Sequence, residues 1–246
     1  MRIYLYVTGI FILASVACFS SSQEKTVDKK VEQLLLKMTL EEKVGQMTQI
    51  TIETVSAKEG TLDQQHELDT EKLEEAILEK NVGSILNVWD GAFTLDHWHS
   101  VITQIQDIAT RKSRLKIPII YGIDAIHGAN YTKEAVIFPQ SIAMAASRNV
   151  DFVKKIAEIT AFEVRASGIT WNFNPVLGVG RTPLWPRLYE TFGEDPYLVS
   201  VMGEAYVKGI EGDNNDIGAD DKIAACMKHY LGYSFPYTGK DRTPAY

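Results

Sequence analysis

Three sites in this sequence place chargeable side chains where they could bind a polar ligand. Asp124 follows the apolar run 119–123, and Lys228 with His229 follows a second apolar run. Arg187 lies between them in a long polar loop. Carboxylate, ammonium, imidazole and guanidinium groups together provide both hydrogen-bond donors and acceptors. If both runs are strands of one α/β barrel, their carboxyl ends meet at one edge, and the sequence predicts a single polar pocket there.

Each of these residues also has an ordinary structural interpretation, and the residues alone leave both open. An Asp after a strand is commonly a turn or helix-cap residue. Lys228 could reach solvent while His229 binds a backbone carbonyl. Because neighbouring strand residues point to opposite faces, we expect these two side chains to diverge unless the backbone bends.

The loop that carries Arg187 extends over 174–195 and is long for a connection between a strand and a helix. Its aromatic residues include Trp185 and Tyr189. Aromatic rings beside charged groups suit sugar recognition, because the rings stack on the apolar face of a pyranose. The alternative is a loop whose acidic residues form salt bridges, with Asp195 as a helix cap.

Other patterns that could carry chemistry are weak. His97 and His99 point to divergent faces of a helix at this spacing, so we do not expect them to share a metal ion. His66 lies in a polar stretch. The sequence contains no Cys/His cluster with ligand spacing, no phosphate-binding glycine loop and no nucleophilic-serine elbow. We therefore predict no metal site and no cofactor.

Short apolar runs alternate with amphipathic segments along the chain, which is typical of parallel βαβ units. We predict strands over 44–52, 82–88, 119–123, 169–173 and 222–227. We predict one or two helical segments over 26–47, and helices over 70–80, 94–115, 151–166 and 196–211. The polar stretch 53–68 is expected to be a loop. After Tyr230 the composition is that of a loop, rich in Gly and Pro.

This pattern comprises about five strand–helix units, fewer than the eight that close a (β/α)8 barrel. A parallel sheet left open at this point would expose unpaired edge groups. We therefore predict an α/β fold over residues 26–246, a TIM-barrel-like N-terminal domain that is incomplete in this chain.

The composition is that of a globular protein with a substantial core, since 45% of the 246 residues are hydrophobic and 23% are charged. The formal net charge is -7. Nucleic-acid binding requires clustered Lys and Arg, so this balance argues against a nucleic-acid partner. The sequence also lacks a long basic tract of the kind that binds an anionic membrane surface.

The first residues have the layout of a secretory signal, with a short basic start, an apolar stretch and small residues before a cleavage site. We predict a signal peptide over 1–17. Cys18 then allows two alternatives, plain cleavage after Ala17 or a lipoprotein signal in which Cys18 carries lipid. If Cys18 is lipidated or removed, Cys226 has no intrachain disulfide partner. The predicted location is secreted or periplasmic, or lipid-anchored to the outer surface of a bacterial membrane.

Five motifs in order resemble glycoside hydrolase family 3, most strongly its β-glucosidase and exo-β-glucanase branch. They occupy 121–128, 138–140, 163–169, 185–196 and 228–230. The resemblance extends over residues 30–246. It implies an N-terminal (β/α) barrel followed by an α/β sandwich domain. It also implies a glycosidase that releases terminal β-linked glucose with retention of configuration, acting on a β-glucoside or β-glucan oligosaccharide.

The resemblance assigns substrate binding to Asp124, Arg187, Lys228 and His229, the groups that would hold the sugar hydroxyls. It assigns no catalytic residue to this chain, because the family's nucleophilic Asp and acid/base Glu have no match here and are expected beyond Tyr246. Retaining hydrolysis needs both carboxylates, about 5–5.5 Å apart. The chain alone is therefore expected to be inactive, and the alternative is an inert carbohydrate-binding remnant of the same fold.

Overall fold

The computed structural model describes residues 27–58, 66–88 and 91–245. The predicted signal peptide 1–17 and the predicted lipid site Cys18 lie outside these ranges. No helix within the described residues combines the length and the apolar character that crossing a membrane requires.

The chain divides into two compact units, Met1–Gly45 and Gln46–Tyr246. In the first unit, residues 27–37 form helix α1, and helix α2 begins at Leu40. A reciprocal capping box starts α2. The Thr39 N–H donates to Glu42 Oε2 at 2.8 Å, and the Glu42 N–H donates to Thr39 Oγ1 at 3.2 Å. Two backbone donors that the helix leaves free are thereby satisfied.

The second unit is built of short strands connected by helices. The strands are β1 Gln49–Thr51, β2 Ser56–Lys58, β3 Glu67–Leu68, β4 Ser84–Leu86, β5 Ile120–Ile123, β6 Trp171–Asn172 and β7 Ala224–Ala225. Helix α2 covers Leu40–Gln46, and the α-helices after it are α3 Thr70–Glu74, α4 Leu95–Asp107, α5 Ser141–Ala146, α6 Val150–Ala166 and α7 Pro196–Glu211. Helices α3 and α4 continue into π-helical turns, Glu75–Glu79 and Ile108–Lys112. Two 3₁₀ turns cover Ile52–Val55 and Leu188–Glu190.

Five of the strands form one parallel sheet in the order β1-β4-β5-β6-β7, and β2 pairs with β3 in a separate antiparallel ribbon. Each strand of the sheet neighbours the next one along the chain, which is the order of a (β/α) barrel. Residue pairs Ile123–Asn172 and Asn172–Ala225 are in register. The residues that follow β5, β6 and β7 therefore emerge side by side at one edge, and the predicted TIM-barrel-like α/β fold is confirmed.

Helices α6 and α7 pack against each other over much of their length. Helix α6 buries one face at helical spacing, made of Val153, Ile156, Ala157, Thr160, Ala161 and Val164. Gly209 of α7 permits the close approach, because an added Cβ would lie 2.5 Å from the Cβ of Ala157 and 2.5 Å from the carbonyl oxygen of Lys154. Burying each large aliphatic side chain of this face contributes about 1.5–3 kcal/mol, so the contact stabilises the fold.

Several details of the predicted elements are wrong. The predicted strand 222–227 is limited to Ala224–Ala225, and the helix predicted over 94–115 ends at Lys112. Residues 44–46 belong to α2, and the first strand is limited to Gln49–Thr51. The stretch 53–68 contains the strands of the β2–β3 ribbon in addition to loop. The predicted elements omit helix α5, because six residues are too few for a helical period to be read. Periodicity locates long helices, while short elements depend on contacts with distant residues.

Candidate active site

The carboxylate of Asp124 and the ammonium of Lys228 meet at the carboxyl edge of the sheet, where Lys228 Nζ donates to Asp124 Oδ1 at 2.5 Å. The Lys228 side chain is 14% exposed and that of Asp124 is 35% exposed. A largely buried ammonium needs an opposite charge, which Asp124 supplies. The predicted convergence of these two residues is thus present, and the turn or cap interpretation of Asp124 is unnecessary.

Asn172, at the end of β6, fixes the backbone directly after Asp124. The Ala125 N–H donates to Asn172 Oδ1 at 3.0 Å, and Asn172 Nδ2 donates to the Ala125 carbonyl at 3.1 Å. The Asn172 side chain is fully buried, so these bonds are shielded from water. Sequence reasoning did not single out Asn172, because the pairing depends on the register between β5 and β6.

Lys228 is positioned outside the regular part of its strand. Strand β7 ends at Ala225. Beyond it, the Lys228 N–H donates to the Pro175 carbonyl at 3.0 Å and the Lys228 carbonyl accepts from the Leu177 N–H at 2.8 Å. Lys228 makes an isolated parallel bridge with Val176 there. The charges of Lys228 and Asp124 both act on His229, which corresponds to the alternative that the sequence left open, a backbone that bends after Lys228. Both side chains belong to one charged cluster.

Arg187 stands at the start of the 3₁₀ turn in the long loop and is held by Glu190. Its Nε and Nη2 donate to Glu190 Oε1 and Oε2 at 2.6 and 2.7 Å. Hydrogen bonding to Glu190 raises the pKa of Arg187 above its usual range, so the group stays charged. The Glu190 side chain is only 5% exposed. This fork agrees with the predicted salt bridging of the loop's acidic residues, and it leaves part of the guanidinium for other acceptors.

His229 packs against the ring of Tyr233, with ring centroids 4.4 Å apart. Burial is the first cause that lowers the pKa of His229 to about 4, and the charges of Arg187 and Lys228 act in the same direction. Glu190 and Asp124 oppose them. The other three predicted binding residues therefore all act on His229. His229 is a neutral imidazole at pH 7 with one donor and one acceptor.

Tyr233 and Asp241 complete the cluster, although the sequence analysis assigns the segment after Tyr230 only to a loop. Tyr233 Oη accepts from Arg187 Nη1 at 3.2 Å and donates to Asp241 Oδ1 at 2.5 Å. The indole N–H of Trp185 donates to the same Asp241 oxygen at 3.3 Å. Trp185 is 2% exposed, so the prediction that its ring stacks on a sugar is wrong. Tyr189 remains 46% exposed.

Other sequence-predicted features have structural roles. The Asp195 side chain caps α7, accepting from the Tyr197 N–H at 2.9 Å. His97 and His99 diverge as predicted, since His99 Nε2 donates to the Ala166 carbonyl at 2.6 Å and His97 lies beside His66. Within the described part of the chain, no group of three or more His, Cys, Asp or Glu residues could hold a metal ion.

A buried imidazole lies in the stretch predicted to be a polar loop. His66 is 3% exposed, and its Nε2 lies 2.7 Å from Ser56 Oγ. Its Nδ1 lies 3.4 Å from His97 Nε2, and its ring stacks on Phe93. Burial lowers the pKa of His66 to about 4. The polar residues around it in the sequence conceal this burial.

Residues 39–244 match the glycosyl hydrolase family 3 N-terminal domain. The lysosomal beta glucosidase of Dictyostelium discoideum is 43% identical over 232 residues, covering 89% of this chain and 27% of that protein. The periplasmic beta-glucosidase of Salmonella typhimurium is 33% identical over 215 residues, covering 87% of this chain and 24% of that protein. This chain thus spans about a quarter of the length of these relatives.

Solved structures give the same relationship. An exo-1,3/1,4-beta-glucanase from Pseudoalteromonas superposes with a TM-score of 0.74 at 32% identity, over 88% of this chain and 26% of that one. A beta-glucosidase from Listeria innocua in complex with glucose superposes with a TM-score of 0.68 at 30% identity, over 86% and 28% of the two chains. A mutant of that enzyme was solved with laminaribiose. The match of residues 39–244 to this family's N-terminal domain shows that this chain belongs to glycosyl hydrolase family 3.

Proposed function

We propose that this chain supplies the sugar-binding wall of a β-glucosidase-type hydrolase, which removes terminal β-linked glucose from oligosaccharides or glycosides. The observation that carries the proposal is the joining of Asp124 and Lys228 across 104 positions of sequence at the edge of a barrel-like sheet. Active sites of barrel enzymes lie at this edge. The relatives include β-glucosidases and an exo-glucanase, which supports glucose as the sugar.

The hydrogen-bond donors and acceptors that these groups leave unused suit adjacent sugar hydroxyls. One Asp124 oxygen binds Lys228, and the carboxylate has further lone pairs on a partly exposed side chain. The Arg187 guanidinium has five N–H groups, of which Glu190 and Tyr233 engage three, leaving two. A neutral His229 both donates and accepts. Hydrogen bonds from charged groups are about twice as strong as neutral ones, so three charged residues together with neutral His229 would bind one glucose unit firmly.

In this proposal the reaction is a retaining double displacement. A nucleophilic Asp would attack the anomeric carbon, and a Glu would protonate the leaving oxygen and later activate water. Both carboxylates are proposed to lie beyond residue 246, in the part of the family's length that this chain does not span. The role of the sugar-binding residues is to strengthen their bonds as the oxocarbenium-like transition state forms, which lowers its free energy more than that of the ground state.

A second proposal is that the 246 residues alone form an inert carbohydrate-binding remnant. It is favoured because the carboxylates in the site already form ion pairs or hydrogen bonds with neighbouring side chains. Asp124 is paired with Lys228, Glu190 with Arg187, and Asp241 accepts from two neighbours. Hydrolysis with retention requires one carboxylate free to attack and a second to carry the proton. The remnant would bind glucose and release none.

We also propose that the protein acts outside the cytoplasm, secreted or periplasmic, with a lipid on Cys18 as one form of attachment. Two relatives named as periplasmic enzymes support this location. Mass spectrometry of the mature N-terminal peptide tests it. A peptide that starts at Cys18 with a diacylglycerol mass supports the anchor, whereas one that retains Met1 contradicts the signal peptide.

The test of the function compares two proteins, the native polypeptide and the 246-residue chain. The native polypeptide is recovered from its source by means of an antibody to this region. We expect the native polypeptide to have a mass well above that of 246 residues and to release glucose from a nitrophenyl β-glucoside. The 246-residue chain should bind glucose without hydrolysing the glucoside. A native mass that matches this chain, with binding but no turnover, would leave the remnant. Absence of glucose binding in both would overturn both proposals.

A further inference from the structure

The guanidinium of Arg187 is held by two segments that are distant in sequence. Glu190 holds one edge of it from within the same 3₁₀ turn, three residues away. This fork moves with the turn and cannot by itself fix the guanidinium relative to the rest of the pocket. The outside anchor is Tyr233, 46 positions later in the chain, which accepts from Arg187 Nη1 at 3.2 Å.

Tyr233 is itself oriented by Asp241. Its hydroxyl donates to Asp241 Oδ1 at 2.5 Å, which turns the oxygen lone pairs toward Arg187. Donation to a carboxylate also polarises the hydroxyl and makes its oxygen a better acceptor for a guanidinium N–H. The hydrogen bond to Tyr233 lowers the pKa of Asp241, so the carboxylate stays ionised.

The same carboxylate anchors the loop that carries Arg187. Asp241 accepts from the indole N–H of Trp185 at 3.3 Å, two residues before Arg187. The Tyr233 ring meets the buried Trp185 ring edge-on, with centroids 5.3 Å apart, and the His229 ring at 4.4 Å. Tyr233 therefore contacts two of the proposed sugar-binding side chains, Arg187 and His229.

We propose that Tyr233 and Asp241 are positioning residues for the sugar site: they fix the plane of the Arg187 guanidinium so that its two remaining N–H groups face the sugar. This inference rests on the proposed function, because it assumes that Arg187 donates to the substrate. Neither residue needs to touch the sugar. They affect sugar affinity only by orienting Arg187. A positioning role therefore predicts that their effect disappears when Arg187 is replaced, whereas general packing predicts that it remains.

The experiment measures glucose affinity of the 246-residue chain by calorimetry in a double-mutant cycle. Tyr233→Phe keeps the ring and removes the hydroxyl, and Asp241→Asn keeps the shape and removes the charge. Arg187→Lys supplies a point charge without a fork that Tyr233 could orient. The matched controls are Tyr197→Phe, which removes an exposed hydroxyl, and Asp220→Asn, on an exposed turn.

Loss of one hydrogen bond to a charged group predicts that Tyr233→Phe and Asp241→Asn each weaken glucose binding about fivefold, with the controls changing it less than about twofold. In the Arg187→Lys background, Tyr233→Phe should have almost no further effect, because the oriented group is gone. If Tyr233→Phe lowers thermal stability, Asp241→Asn decides, since it leaves the Tyr233 side chain intact.

Two results would overturn the inference. In one, Tyr233→Phe and Asp241→Asn bind glucose as the controls do, although Asp124→Asn and Arg187→Lys weaken binding; the proposed function then stands and the positioning role fails. In the other, Tyr233→Phe causes the same loss in the Arg187→Lys background as in the unchanged chain, which is the signature of packing alone. If Asp124→Asn and Arg187→Lys also leave binding unchanged, the proposed function fails together with the inference.

Discussion

Asp124 and Lys228 stand 104 positions apart in the sequence, yet Oδ1 of one lies 2.5 Å from Nζ of the other at the edge of the sheet. Removing only one partner leaves the other charge partly buried and uncompensated. Since Asp124 retains some exposure to water, we expect Lys228→Met to lower the free energy of unfolding by about 1–2 kcal/mol, less than for a fully buried pair. Urea denaturation measures it.

The control for this pair is the double variant. Asp124→Asn combined with Lys228→Met removes both charges and should recover most of the stability lost in Lys228→Met. If the decrease in unfolding free energy of the double variant equals the sum of the decreases in Asp124→Asn and Lys228→Met, the two charges do not stabilise each other. The short distance between them would then carry no energetic meaning.

Asn172 tests whether the sheet register supports the site. Asn172→Ala leaves both the N–H and the carbonyl of Ala125 without their buried partner. We expect unfolding free energy to fall by about 2–4 kcal/mol, because each buried unsatisfied group costs about 1–3 kcal/mol. Asn214→Ala, at an exposed position, should change it by less than about 0.5 kcal/mol. Equal effects of the two substitutions would show that the hydrogen bonds of Asn172 to Ala125 do not stabilise the fold.

The contact of α6 with α7 predicts a penalty for one methyl group. In Gly209→Ala the new Cβ would overlap Ala157 and the Lys154 carbonyl, and overpacking of this kind costs about 1–3 kcal/mol. Gly218→Ala is the matched control, because nothing lies within 4 Å of an added Cβ there. A melting temperature that rises in Gly209→Ala, through reduced chain entropy of the unfolded state, would contradict the predicted close packing.

Two histidines predict how stability depends on pH. The pKa of His229 and that of His66 fall from the ordinary 6.5 to about 4 on folding. Between these values the unfolded chain binds more protons, so stability declines as pH falls from 6.5 to 4. Partial exposure reduces the contribution of His229 to about 1 kcal/mol. The contribution of His66, which is 3% exposed, should be the larger of the two.

Urea unfolding at pH 7 and at pH 4.5 checks this dependence. The stability difference between the two pH values should be smaller in His229→Gln and in His66→Gln than in the unchanged chain. NMR titration of the His229 ring adds a direct reading. A midpoint near 6.5 in the folded protein would show that the imidazole is not shielded as the structure indicates.

Long amphipathic helices and the order of the parallel strands could be predicted from the sequence. Helix α7 begins and ends where its Pro at the first turn and its apolar period indicate, and α6 differs by a single residue. Three of the site residues could also be predicted from the sequence. Asp124 and Lys228 directly follow apolar runs, and Arg187 lies in a loop too long to be a plain connection.

What could not be predicted depends on contacts between distant segments. Asn172 faces Ala125 only through strand register, and Asp241 meets Trp185 only after the last loop folds back. The burial of Trp185 likewise reverses its predicted role as a stacking platform. No local pattern encodes these contacts, whereas a cap such as Asp195 is encoded by the residues next to it.

The most direct test of the central claim, that Asp124, Arg187, Lys228 and His229 form a glucose-binding wall, is calorimetric titration of glucose into the 246-residue chain and into Asp124→Asn. The account predicts saturable binding by the unchanged chain and at least a tenfold weaker affinity, about 1.4 kcal/mol, in the variant. Equal affinities in two folded proteins, or no binding by either, would contradict it.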